Sequence, residues 1–203
     1  MSKNTYLVFL ILSLFAAGLT FYYGSTKASA SLGKNLPVVV PASQYIANDL
    51  GVAFDYPAGA NGYALKQPNM SIVPNLERLV VLSKKSDNVF NTIAGVSLEE
   101  PPTITLTVYK NLKTEQPSDW ADSHKMYSNI ELKTSEPANI VIGGANAIRY
   151  TTSGIYHTDN VVIARAEYIY VFSGAYLDED SEIHKDFLEL LGSIEFVPTK
   201  DQI

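Results

Sequence analysis

Along much of this chain apolar and polar residues alternate with a period of two, the mark of a strand with one face buried. In "GVAFDYP" Val52, Phe54 and Tyr56 alternate with Ala53 and Asp55 until Pro57 stops the run. A loop rich in Gly, Pro and Asn is expected from Pro57 to about Asn75, followed by strands "RLVVLSK" (Arg78 to Lys84) and "TITLTVY" (Thr103 to Tyr109). In the second of these Ile104, Leu106 and Val108 face one way and threonines the other. "NIVIGGANAIRYTTSG" predicts two strands joined by a turn at Gly143 and Gly144, the second presenting Ile148, Tyr150 and Thr152 on one face. "NVVIARAEYIYVFSGAY" (Asn160 to Tyr176) exceeds one typical strand, so a hairpin is expected with its turn near Arg165 to Glu167.

Two stretches change to a helical period. In "PSDWADSHKMY" Trp120, His124 and Tyr127 fall at i, i+4 and i+7, with Ser118 or Asp119 available as N-cap. In "SEIHKDFLELL" Ile183, Phe187, Leu190 and Leu191 form a stripe, with Gly192 expected as the C-cap before a last strand "SIEFV" that Pro198 closes. About seven strands and two main helices, without βαβ alternation, predict an α+β fold with a mostly antiparallel sheet.

The N-terminus follows neither period. "YLVFLILSLFAAGLTFYY" (Tyr6 to Tyr23) has no charge and no proline, and is apolar on every face. As a helix it would reach roughly 27 Å, close to the ~30 Å thickness of a bilayer core. Lys3 before it and aromatics at both ends suit a single-pass anchor with the C-terminal part outside the cytoplasm. "KASA" places Ala28 and Ala30 as a small-residue cleavage site, so secretion after cleavage near Ala30 is the alternative; both export the rest of the chain. The expected organisation is an anchor or signal peptide over 1–23, a flexible linker over 24–48 with a short turn of helix near Ser43 to Asn48, a globular domain over 49–198 and a tail over 199–203.

Composition narrows the function. Residues 31–203 carry 13 basic against 21 acidic side chains, a net charge of −8, which disfavours nucleic acid and anionic membrane surfaces as partners. Cysteine is absent, so disulfides, thiol nucleophiles and thiolate metal sites are excluded.

The order "GVAFDYP", a tryptophan-bearing helix, "IGGANAIRY" leading into tyrosine-rich strands, and "DFLELLGSIEFV" resembles the PsbP-like or Mog1-like domain family over about residues 49 to 198. That resemblance implies an α/β/α sandwich used as a scaffold for binding and assembly, without a shared active site. Many relatives place a tryptophan soon after the opening "YP"; here "YPAGANGYALKQP" follows and lacks it.

Little in the chain has the spacing of a chemical motif. His124, His157 and His184 match no zinc pattern, and no nucleophile elbow or phosphate loop is present. His124 is expected to pack at the core edge beside Trp120, and His157 to hydrogen-bond Asp159 within a loop. Asn69 opens an "NMS" glycosylation sequon. Tyr150, Tyr156, Tyr168, Tyr170 and Tyr176 are expected chiefly as sheet-stabilising cross-strand rings, and with His157 would form a binding face if exposed. Asp178, Asp180 and Glu182 in "YLDEDSEIHKDF" are expected first as the charged start of a helix and second as a weak calcium site. No cofactor is expected beyond that calcium. The function that fits is a non-enzymatic, membrane-tethered binding or assembly domain, with another envelope protein as a candidate partner. An extracytoplasmic calcium module, or an exported hydrolase pairing a histidine with a carboxylate, are the alternatives.

Overall fold

A computed structural model describes residues 41–69, 73–87 and 100–197. The apolar run 6–23, the linker up to residue 40, two residues of the Asn69 sequon and the 199–203 tail lie outside the described residues. Among the described residues ten strands form two sheets. The smaller sheet has the order β1 (Ala42–Ala47), β2 (Val52–Pro57), β10 (Glu195–Phe196). The larger contains β3 (Tyr63–Lys66), β4 (Leu76–Lys84), β5 (Thr103–Lys110), β6 (Ala138–Ile142), β7 (Ala145–Ser153), β8 (His157–Arg165) and β9 (Tyr168–Tyr176). Its spatial order is β3-β4-β5-β9-β8-β7-β6, and every pair is antiparallel.

The alternation read from the sequence assigns side chains to the two faces of this sheet. One face carries Leu82, Ile104, Leu106, Val161, Ile163, Tyr170 and Phe172, which join one core cluster with the helix α3 (Glu182–Gly192) and the small sheet. The other carries Ile148, Tyr150, Val162, Ile169 and Val171 in a second cluster with Trp120 and Ala121 of α1 (Pro117–Ser123) and with Ile130. α2 (Lys125–Ser128) and a 3-10 turn at Ile130–Leu132 complete that layer. The fold is therefore mostly antiparallel α+β, with helices on both faces of the large sheet.

α3 meets the sheet at a notch. The buried stripe Ile183, Phe187, Leu190 and Leu191 lies on one side of the helix as its period predicts. Gly174 of β9 lies under Phe187: a Cβ on Gly174 would stand 2.4 Å from Cγ of that ring. The helix ends on Ser193, which is the C-cap in place of the expected Gly192. Its Oγ donates to the Leu190 carbonyl and accepts the Asp55 amide at 2.9 Å, tying the helix to β2.

Several expectations change. The fold begins earlier than residue 49, because Ala42–Ala47 is a strand paired along β2 rather than linker or helical turn. Its alternation is disguised by small Ser43 and Ala47 flanking Tyr45 on the inner side and by Ile46, 53 % exposed, on the outer. The loop expected from Pro57 to Asn75 contains β3, a four-residue edge too short to show a period. The helix expected over Pro117 to Tyr127 breaks at His124, where Ser123 Oγ bonds the Trp120 carbonyl and competes with the helical backbone. Gln116 is the N-cap, with Pro117 at the first helical position. The Gly143–Gly144 turn is as expected, both residues at positive φ. The β8–β9 turn also falls where expected, but places Ala166 at φ 49°.

Two stability predictions follow from this geometry. Gly174→Ala forces Phe187 out of its notch and lowers stability by about 1–3 kcal/mol, read as a reduced urea midpoint at unchanged slope. Ala166→Gly relieves a left-handed alanine and raises stability by about 0.5–1 kcal/mol in the same assay.

Candidate functional site

At one end of the large sheet, under the N-terminal turns of α3, strands β7, β8 and β9 gather polar side chains on a face that is otherwise apolar. Strand parity brings them together. Arg149 and Thr151 of β7, Asp159 of β8 and Tyr176 of β9 all point toward α3, and the register places Thr151 and Gly174 on either side of Asp159. Asp159 is the centre: its side chain is only 3 % exposed.

Its two oxygens are fully engaged. Arg149 Nη2 forms a short ion pair with Oδ2, and Thr151 Oγ1 donates to Oδ1 at 3.0 Å. The Tyr176 hydroxyl lies 3.5 Å from Oδ1, and His184 Nε2 reaches across from α3 to within 3.3 Å of Oδ2. Burial by itself would raise the Asp159 carboxyl, but the hydrogen bond and charge of Arg149, with Thr151 and His184, outweigh it and hold the group below its ordinary value. Burial raises the Tyr176 phenol, and the Asp159 charge adds to that. The ring of Tyr176 is stacked on His184 at 4.1 Å between centroids and lies 5.8 Å from the tilted ring of His157.

A histidine beside a buried carboxylate supplies two of the three members of a nucleophile-activating triad, so the second imidazole nitrogen decides what the pair can do. His184 Nδ1 lies 2.8 Å from the Glu179 backbone carbonyl, which only accepts, so Nδ1 donates to it. Both ring nitrogens therefore face oxygens of the fold itself, Nδ1 the Glu179 carbonyl and Nε2 the Asp159 carboxylate, and neither is aimed at a neighbouring hydroxyl or thiol nucleophile. In this state the cluster fastens α3 and the Leu177–Ser181 segment to the sheet. A matching clasp holds the other flank of the helix. Lys84 pairs with Glu182 at 2.7 Å and Asp186 at 3.4 Å, while the buried Tyr63 hydroxyl donates to Asp186 at 2.7 Å.

The residues singled out in the sequence are dispersed by the fold. Tyr150 is buried on the α1 face, its phenol pushed up to about 12 by burial, with its hydroxyl donating to the Ser128 carbonyl. Tyr168 and Tyr170 are buried on the opposite face, and Tyr170 donates to the Leu50 carbonyl at 2.6 Å. Sheet parity thus divides the tyrosines between two cores, and they form no common exposed face. Tyr156 is half-buried and donates to the Glu100 carbonyl. His157 is exposed at the start of β8 rather than in a loop, and Asp159 pairs with Arg149 instead of with it. His124 stacks on Trp120 at 4.8 Å, as a ring at the core edge.

The acidic run does begin α3. Asp178 Oδ1 accepts the Asp180 amide in a local turn, Glu182 is occupied by Lys84, and Ser181 is the N-cap residue without a side-chain capping bond. Among the described residues no group of three or more His, Asp or Glu side chains is placed to hold a metal ion. Arg149 and His184 escaped the sequence motifs. Their signal was a charge inside an apolar strand, "AIRYT", whose partner stood two positions before another buried run, "DNVVI".

A recess among the described residues lies elsewhere, a groove of about 440 Å³ between Gln116–Ser118 at the start of α1 and strands β6 and β7. Asn139, Val141, Asn146 and Ile148 line its floor, and no lining residue is charged.

No protein-family model matches the chain, and no curated protein matches it. Among solved structures, the solution structure of cyanobacterial PsbP (CyanoP) from Synechocystis sp. PCC 6803 is similar, at 13 % identity and a TM-score of 0.53. The match covers 81 % of this chain and 98 % of that one. A Bacteroides thetaiotaomicron structure agrees at 9 % identity and a TM-score of 0.45, over 75 % of this chain and 47 % of its own, too loosely to carry an argument. The chain therefore has the PsbP-like fold that its pattern of elements resembles.

Asp159→Asn tests the cluster. The ionised Asp159 contributes stability that is complete above its ordinary pKa of 3.8 and is lost as pH falls through its lower folded value. With the partner Arg149 partly exposed, the variant is expected to cost about 1–2 kcal/mol at neutral pH. In urea titrations the gap to the unaltered chain closes below about pH 4.

Proposed function

We propose that this chain is a membrane-tethered, extracytoplasmic domain that acts by binding and does no chemistry of its own. One observation carries the non-enzymatic part: both imidazole nitrogens of His184 are turned toward oxygens of the fold, one toward Asp159 and one toward the Glu179 carbonyl. The PsbP-like fold is consistent with this, because such a fold is a scaffold whose activity depends on what is added to its surface. One uncommitted surface among the described residues is the uncharged groove beside β6, which suits contact with another chain better than polar catalysis.

The tether rests on the sequence. Tyr6 to Tyr23 is uncharged and long enough to cross a bilayer as a helix, and lies outside the described residues. Among the described residues no helix is long and apolar enough to do so. An anchored domain without cysteine fits a role at the cell envelope beside another envelope protein.

The full chain, produced in a bacterium with a C-terminal epitope, is expected in the membrane fraction with the epitope digested by protease added to spheroplasts. The mass of its mature N-terminus separates an intact anchor from cleavage near Ala30. Retention of the epitope inside the cell would exclude the topology. Turnover of an ester, phosphate or glycoside substrate that His184→Ala abolishes would exclude the non-enzymatic part.

A further inference from the structure

Among the described residues strand β6 is an edge of the large sheet, with no strand paired to its outer side. Its sequence, Ala-Asn-Ile-Val-Ile, has no charge and no proline, and its register with β7 is unbroken by a bulge. Val141 is 67 % exposed. The opposite edge, β3, is shorter and ends on Lys66.

Hairpin parity determines what that edge offers. The two-residue turn at Gly143–Gly144 makes Ile142 and Ala145 the closing pair, which exchanges both hydrogen bonds. Ile140–Ala147 and Ala138–Arg149 repeat that pattern, so the backbone groups of Asn139 and Val141 point away from the sheet. Two such edges brought together antiparallel about Ile140 are self-complementary. Asn139 of each copy then pairs with Val141 of the other, exchanging the outward hydrogen bonds, and the two Ile140 side chains meet across the axis.

Charge selects the occupant. Residues 31–203 carry −8, so two copies repel over most of their surface. From Pro137 to Ile148 there are twelve residues without one charged side chain, and the adjoining groove is equally uncharged. A basic partner finds no carboxylate in this strand, whereas a second copy meets no like charge. We infer that β6 pairs with β6 of a second copy of this chain, joining the two large sheets into one. This gives a partner for the binding surface proposed above and is tested separately from it.

Because the chain has no cysteine, Ile140→Cys introduces a sole thiol at the predicted axis, within disulfide range of its symmetry mate. Full chain in detergent, oxidised with copper–phenanthroline, is expected to give a dimer band on a non-reducing gel that dithiothreitol reverses. Met126→Cys, at an 82 % exposed site on α2, gives little. Adding Asn139→Pro removes an outward N–H without touching the β6–β7 ladder, and should reduce the dimer band at least tenfold with little change in melting temperature. Sedimentation of the unaltered chain tests the same point without a cysteine: a concentration-dependent dimer is expected, and Asn139→Pro should be monomeric. A monomer at every concentration, or cross-linking that Asn139→Pro leaves unchanged, overturns the pairing. Either result would leave the membrane topology and the lack of turnover to their own tests.

Discussion

The packing of Phe187 into the notch above Gly174 is the contact on which the rest of this domain depends. It lets α3 lie directly on β9, the central strand of the seven, and so brings both ends of the helix within reach of the sheet. A buried phenyl ring contributes about 1.5–3 kcal/mol. Its larger effect is geometric. The strands on either side of Gly174 place Ile104 and Asp159 in the same rung, so the helix that settles on the notch also settles beside the deeply buried Asp159 carboxylate. With His184 and Asp186 on flanking turns, Asp159 fastens one edge of the helix and the Lys84–Tyr63 clasp the other.

Those clasps differ from ordinary surface ion pairs. An exposed pair contributes little because water competes for both charges, and a buried pair offsets its own desolvation only when its remaining bonding capacity is filled. Asp159 meets that condition through Thr151, Tyr176 and His184 as well as Arg149. The cluster therefore contributes specificity of docking more than bulk stability: a slip of one residue in β8 would turn Asp159 into the α1 core and expose Val161 and Ile163 to the wrong layer. From Ser193 the same constraint passes to β2 and hence to the small sheet.

Much of this was legible in the chain. The period of two marked most strands, and the stripe from Ile183 to Leu191 marked α3, because burial on one face leaves a repeating trace. β1 and β3 were obscured by an exposed isoleucine and by shortness, and the break at His124 by a side-chain bond that no periodicity records. The polar cluster was hidden for a different reason. Arg149, Asp159 and His184 are ten and twenty-five residues apart in sequence, and only sheet parity together with the position of α3 makes them neighbours. The tyrosines were expected chiefly as structural rings of the sheet, but a count does not say which face each one takes; alternate positions sent Tyr150 to one core and Tyr170 to the other.

The same parity governs what the fold turns inward and what it leaves at its margin. A sheet covered on both faces commits its side chains to two cores, and here its one buried charged cluster also faces inward and is satisfied internally. Among the described residues the margin of the sheet is at β6, where the outward backbone groups of Asn139 and Val141 have no partner strand. Edges of this kind are usually blunted by charge or proline, since bare ones aggregate. An acidic chain that leaves one edge neutral has placed its least repulsive surface beside its strongest unsatisfied hydrogen-bonding groups, and association there requires no new pocket and no rearrangement of either core.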